Sequence, residues 1–187
     1  MTRAVFLDRD GTLIEEAGYL DRLDRLVFFP YSIDAVRVLS RAGFSVVVVT
    51  NQAGIARGIV TESFLDEAHR HIAARVEAGG GRIDGFYFCP HHPEAVIEQY
   101  RQSCNCRKPA PGMFTQAAAD LDIDLSRSFA VGDRWHDIEA AQRAGARGVL
   151  VRTGYGATEE ASPKPHVTPA AIADTLIAAV SWILQEP

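Results

Sequence analysis

The stretch VFLDRDGT at residues 5–12 sets an apolar run directly against two carboxylates, Asp8 and Asp10. Ala4–Leu7 reads as a short strand buried on both faces, the kind found in parallel sheets covered by helices. Parallel α/β sheets place their chemistry at the carboxyl ends of their strands, so this junction predicts a site as well as a fold. Outward from it the pattern recurs. Residues 44–49 form a second apolar run ending at Thr50, residues 86–88 a third, residues 128–131 a fourth followed by Gly132 and Asp133, and residues 148–151 a fifth. Helical periods separate the runs. Ile33, Val36, Leu39 and Ala42 precede Gly43, while Phe64, Ala68, Ile72 and Val76 follow a cap at Thr61 or Ser63. Pro111 opens a third helix and Gly145 closes a fourth. Thr168 and Pro169 open a last helix carrying Ile172, Leu176, Val180 and Ile183, and residues 158–166 read as a loose linker. Alternation of this kind predicts an α/β chain with a parallel sheet and helices on both faces.

Composition sets the frame. The 187 residues suit one domain, 1–187, and 47% hydrophobic with 23% charged residues is globular composition. The 19 Lys and Arg against 24 Asp and Glu give a net charge of −5, which repels a polyanion, so nucleic acid is not expected as a partner. No apolar run reaches the ~20 residues that span a bilayer, so membrane insertion is not expected. Three cysteines are too few for a disulfide framework, and no basic-then-apolar leader is visible, which suits a reducing cytoplasm.

Asp8 and Asp10 stand two residues apart, so both face one pocket if the chain stays extended there. Carboxylates that close repel unless a cation or shared proton intervenes. Mg²⁺, held by one or two carboxylates and substrate phosphate oxygens, meets that need, and Asp133 at another strand end can add a ligand. Asp137, one helical turn on, either supports that centre or lies on the helix surface. A second constellation is Cys89-Pro90-His91 with Cys104-Asn105-Cys106, which gathers every cysteine of the chain into residues 89–106. Three thiolates and an imidazole suit a tetrahedral Zn²⁺ of structural type, with His91 or His92 as the fourth ligand.

VFLDRDGT at 5–12, VVVTN at 47–51, RKPAPGMF at 107–114 and VGDRWHD at 131–137 together resemble the four ordered motifs of haloacid-dehalogenase-type phosphatases. The resemblance implies a three-layer Rossmann-like fold in which Asp8 attacks phosphorus and Asp10 serves as acid and then base. It also implies that Thr50 and Lys108 bind phosphate, and that Mg²⁺ is held by Asp8, the Asp10 carbonyl and Asp133. CPHHP at 89–93, CNCRKPAPGM at 104–113 and NQAGIARG at 51–58 are similar to the zinc-containing branch, which acts on heptose 1,7-bisphosphate and on histidinol phosphate. The longer cysteine spacing resembles that of the enzymes acting on the heptose ester, and the resemblance implies that Asn51, Arg57, Arg107 and Lys108 contact the substrate. A zinc-stapled binding module without catalysis is the alternative from another class. Arg134, Trp135 and His136 depart from the usual motif; Arg134 either alters the charge of the metal site or touches substrate, Trp135 reads as a packing residue and His136 as an exposed helix histidine. One helix over residues 64–81 is too little for a large cap domain, so the site should accept a small soluble ester, and the chain is expected to act as a monomer.

Overall fold

The computed structural model describes residues 1–187. Six parallel strands form one sheet: β1 (Ala4–Leu7), β2 (Ser45–Asn51), β3 (Gly85–Cys89), β4 (Phe129–Gly132), β5 (Arg147–Val151) and β6 (Ala171–Ala173). Their order is β3-β2-β1-β4-β5-β6, so the chain builds outward from β1 in both directions and leaves a switch point beside it. Leu7 pairs with Val48 on one side and Val131 on the other, which brings the ends of β1, β2 and β4 to one edge of the sheet.

Alternation along β1 explains the layers. Val5 and Leu7 enter a core with Val46, Val48 and Val131, covered by helices α1 (Ser32–Arg41), α3 (Glu62–Ala78) and α7 (Leu176–Ile183). Ala4 and Phe6 point the other way, toward Met113 and Phe114 of α4 (Gly112–Leu121) and Ala140 and Ala141 of α5 (Trp135–Ala144). Every β1 side chain is fully buried, and each large one contributes about 1.5–3 kcal/mol on leaving water. Two short helices, α2 (Ala53–Ala56) and α6 (Gly156–Glu160), complete the chain. No helix is long and apolar enough to cross a membrane.

The five expected strands are present, and two expectations need correction. Residues 171–173 form a sixth strand, in register with β5 through Leu150 and Ile172, and the last helix begins only after Thr175, whose hydroxyl accepts the Ala178 amide. Ile172 lies four residues before Leu176 and so mimicked a helical period, but the Ala170 amide already donates to Gly148 and starts the ladder. The supposed linker begins inside α6, which Glu160 ties to Arg152. Of the two candidate caps of α3, Thr61 accepts the Phe64 amide.

His69 on α3 is 6% exposed, stacks on Phe86 at 4.6 Å, and leaves its Nε2 without a partner. Burial, assisted by the charge of Arg9, lowers its pKa to about 3. The unfolded chain therefore binds a proton near pH 6.5 that the folded chain refuses, so this contribution is present above that pH and lost as pH falls. Urea unfolding at pH 7 and pH 5 should show His69→Leu losing ~2 kcal/mol less stability than the parent over that interval. Equal losses would show that His69 has no part in the acid sensitivity.

Candidate active site

The loop after β1 keeps one more sheet hydrogen bond, from the Asp8 amide to Val131, and then turns at Gly11, where φ is 81°. A Cβ there would stand 2.3 Å from Asp133 Oδ2, and one on Gly154 would stand 2.2 Å from the same atom. Glycine at both positions keeps the space around that carboxylate open. Asp133 follows β4 and accepts the Tyr155 amide at 2.8 Å. Asp137 lies on the first turn of α5 and accepts the Arg134 amide at 3.0 Å.

Lys108 joins these groups. Its side chain is 1% exposed, and its Nζ lies 2.7 Å from Asp8 Oδ1, 2.6 Å from Asp137 Oδ1 and 2.8 Å from the Val49 carbonyl. Asp137 is therefore a buried ion-pair partner and not a helix-surface carboxylate. Burial pushes the Asp8 carboxyl up to about 7 against the pull of Lys108, and pushes Asp133 up to about 8 with help from Asp8 and Asp137. Burial also acts to raise Asp137, but Lys108 and His136 hold it below the ordinary value. Burial disfavours the Lys108 ammonium, yet the two carboxylates raise its pKa. One ammonium thus serves two carboxylates, and their donor oxygens lie with that of Asp133 within 4.8 Å of one another. Hard oxygen donors, raised pKa values and glycine-kept space fit a divalent cation such as Mg²⁺.

The Asp10 carboxylate stands apart from that trio and faces Arg9 and Gln52. Thr50 is buried at the end of β2, and its hydroxyl accepts from Gln52 Nε2 at 2.8 Å. Asn51 uses both ends of its amide on the Lys108 backbone: Nδ2 donates to the carbonyl at 3.1 Å and Oδ1 accepts the amide at 3.0 Å. Its side chain lines the cleft while holding the lysine segment in place.

A cleft of about 340 Å³ opens over these groups. Asp8, Asp10 and Asp133 form its floor, and Arg57, Arg107 and Arg134 line it with His92 and His136. Arg134 stacks 3.7 Å from the Tyr155 ring centre and Arg57 5.9 Å from that of Tyr19. His136 is not a free surface histidine; its Nε2 lies 3.3 Å from Asp137 Oδ1, and burial holds its pKa below the ordinary value. Trp135 packs with Ile138, Leu150 and Val167 as expected of a helix-start residue. Arg134, expected either to alter the charge of the metal site or to touch substrate, lines the cleft; Glu16 and Tyr155 were not among the expected site residues, because each reaches the cleft only through the fold of a separate loop.

Cys89, His91, Cys104 and Cys106 converge beside the cleft, with all their ligand atoms within 4.8 Å of one another. Cys106 Sγ lies 2.8 Å from Cys89 Sγ and 3.2 Å from both Cys104 Sγ and His91 Nδ1. His92 is outside the cluster; its Nδ1 accepts the Glu94 amide and its ring lines the cleft. Sulfur and imidazole donors at four corners suit zinc. The knot abuts the site, since Cys89 pairs in register with Asn51 and Arg107 Nη1 donates to the His91 carbonyl at 3.2 Å.

The HAD-hydrolase-like family profile matches residues 105–179. The D-glycero-beta-D-manno-heptose-1,7-bisphosphate 7-phosphatase of Escherichia coli O6:H1 is 46% identical over 159 residues, 84% of this chain and 84% of that protein. The protein of the same name from Pasteurella multocida is 42% identical over 175 residues, 93% of this chain and 95% of its own. Among solved structures, the D,D-heptose 1.7-bisphosphate phosphatase from B. bronchiseptica, complexed with magnesium and phosphate, superposes with a TM-score of 0.88 at 34% identity, covering 99% of each chain.

Removing the Lys108 ammonium while keeping its stem leaves Asp8 and Asp137 buried without their cation. In metal-free buffer near pH 8, Lys108→Met should cost roughly 3–5 kcal/mol of unfolding free energy. The two carboxyls would then have raised pKa values in the folded state, so the deficit should shrink as pH falls and they take up protons. A deficit independent of pH in denaturant titrations would contradict the shared-ammonium geometry.

Proposed function

The chain belongs to the D-glycero-β-D-manno-heptose-1,7-bisphosphate 7-phosphatase family of haloacid-dehalogenase-like hydrolases, and from that premise we propose that it removes the 7-phosphate of such a bisphosphate through an aspartyl-phosphate on Asp8. The reaction is hydrolysis of a phosphoric monoester and serves heptose biosynthesis for surface glycan. One observation carries the residue-level reading: Asp8 stands at the switch point with one carboxylate oxygen held by a buried lysine, under a cleft rimmed by arginines.

Asp8 Oδ1 is fixed by Lys108, which leaves Oδ2 as the attacking atom. It forms a bond to phosphorus as the bond to the sugar oxygen breaks, and Asp10 delivers its proton to that oxygen. Asp10 then takes a proton from water as the water oxygen attacks phosphorus, releasing inorganic phosphate and restoring the Asp8 carboxylate. Charge spread over the transferring phosphoryl oxygens is met by the Lys108 ammonium, the Thr50 hydroxyl and nearby amides. Asp8, Asp133 and the Asp10 carbonyl would hold Mg²⁺, which when bound offsets repulsion between the carboxylates and the incoming phosphate.

Recognition of the second phosphate falls to Arg107, with Arg57, because a guanidinium fork matches phosphate geometry better than a point charge does. Asn51 acts in this reading by holding Lys108 as well as by lining the cleft. Cys89, His91, Cys104 and Cys106 would hold Zn²⁺, which when bound would brace the segment from which Arg107 and Lys108 project, a structural role suited to four protein ligands. Free thiols gathered as metal ligands suit a reducing cytoplasm, and the chain is taken to act as a monomer.

Turnover of heptose 1,7-bisphosphate should exceed that of histidinol phosphate at equal concentration, and Asp8→Asn should abolish it while the fold is retained. Faster hydrolysis of histidinol phosphate would overturn the substrate, and an active Asp8→Asn enzyme would overturn the nucleophile. Elemental analysis should find about one zinc per chain, and its removal by a chelator should lower the unfolding temperature and raise KM for the bisphosphate. Unchanged melting without zinc would remove its structural role.

A further inference from the structure

Arg9 is the largest fully buried side chain in the protein, although it sits in a loop between two site carboxylates. Its side chain is 2% exposed, and its only ion pair is with Asp10. Nε reaches Asp10 Oδ2 at 3.1 Å and Nη2 reaches Oδ1 at 3.0 Å, a two-pronged grip that fixes the plane of the carboxylate as well as its place. Gln52, 8% exposed, adds a third bond from Nε2 to Asp10 Oδ2 at 3.0 Å. A carboxylate only accepts, so the amide must turn its NH₂ toward Asp10. The other hydrogen of that group points at Thr50 Oγ1, 2.8 Å away. Neither residue joins the cluster formed by Asp8, Asp133 and Asp137.

We propose that Arg9 and Gln52 are positioning residues for proton transfer: together they aim the Asp10 carboxyl, with its proton on Oδ1, the oxygen that accepts only from Arg9, at the sugar oxygen of the bond that breaks. The inference rests on Asp10 being the proton donor, as in the reading above. Extended backbone would send the Arg9 side chain to the face opposite Asp8 and Asp10. The guanidinium instead folds back onto Asp10, and Arg9 is not among the residues that line the cleft. Proton delivery depends strongly on where the donor stands, and a carboxylate freed from both partners would turn about its side-chain bonds and lose alignment.

The test uses two esters that differ in their need for a proton. An alkyl phosphate such as the sugar bisphosphate leaves as an alkoxide and needs one, whereas the phenoxide of p-nitrophenyl phosphate departs without it. In both Arg9→Met and Gln52→Leu, kcat/KM for the bisphosphate should fall by about 100-fold while kcat/KM for the aryl ester falls by less than about 5-fold. Equal losses on both esters, or no loss on either, would overturn the proposal, because a purely structural defect does not discriminate between leaving groups. If Arg9→Met fails to melt cooperatively, Gln52→Leu alone decides. A parallel Asp10→Asn enzyme separates the two levels. If it loses kcat/KM on the bisphosphate while keeping kcat/KM on the aryl ester, the underlying reading stands whatever the positioning variants do; if it hydrolyses the bisphosphate as well as the parent does, that reading itself has failed.

Discussion

The ammonium of Lys108, enclosed between Asp8 and Asp137, joins three parts of the chain that are distant in sequence: the end of β1, the start of α5 and the segment that follows the cysteine knot. It also rests on the Val49 carbonyl of β2, so the sheet itself fixes its height. A buried cation of this kind is stable only where its counter-charges are already in place, and buried carboxylates are stable only near such a cation. The constraint is mutual. It accounts for the Asn51 amide that grips the lysine backbone from both sides and for an Asp137 carboxyl held below its ordinary value despite burial.

A small α/β fold without a large covering domain must build substrate contacts from its own loops. The cysteine knot does this by tying residues 104–106 to the end of β3, one strand from β2, so that Arg107 and Lys108 leave a fixed anchor in opposite roles. Lys108 turns inward to the carboxylates, and Arg107 turns to the cleft while one of its nitrogens stays on the His91 carbonyl. The same arrangement explains a chain with net charge −5 that binds phosphate esters, because arginines and Lys108 are concentrated at one sheet edge.

The sheet and the principal carboxylates were legible because their signals are local. An apolar strand ending in Asp8, or in Gly132 and Asp133, is contiguous in sequence, and the cysteine and histidine set is a composition anomaly confined to residues 89–106. Side-chain pairings across long separations were not legible. Asn51 meets Lys108 across 57 residues, and nothing in its neighbourhood distinguishes a lysine clamp from a substrate contact. Asp137 could be placed on a helix, but whether that face met Lys108 depended on how α5 packs. The Arg9 grip on Asp10 had no local signal, since alternation along an extended chain gives no hint of a fold-back. The sixth strand was hidden by Ile172, whose four-residue spacing to Leu176 satisfies a helical period while its backbone is paired with β5.

The central claim is that Asp8, oriented by Lys108, receives the phosphoryl group. Rapid acid quench of the enzyme during turnover with radiolabelled bisphosphate, followed by peptide mapping, tests it most directly. The account predicts label on the peptide containing Asp8, carried by that side chain and absent from Asp8→Asn. Full turnover with label on another residue, or with none on the enzyme at any time, would contradict it.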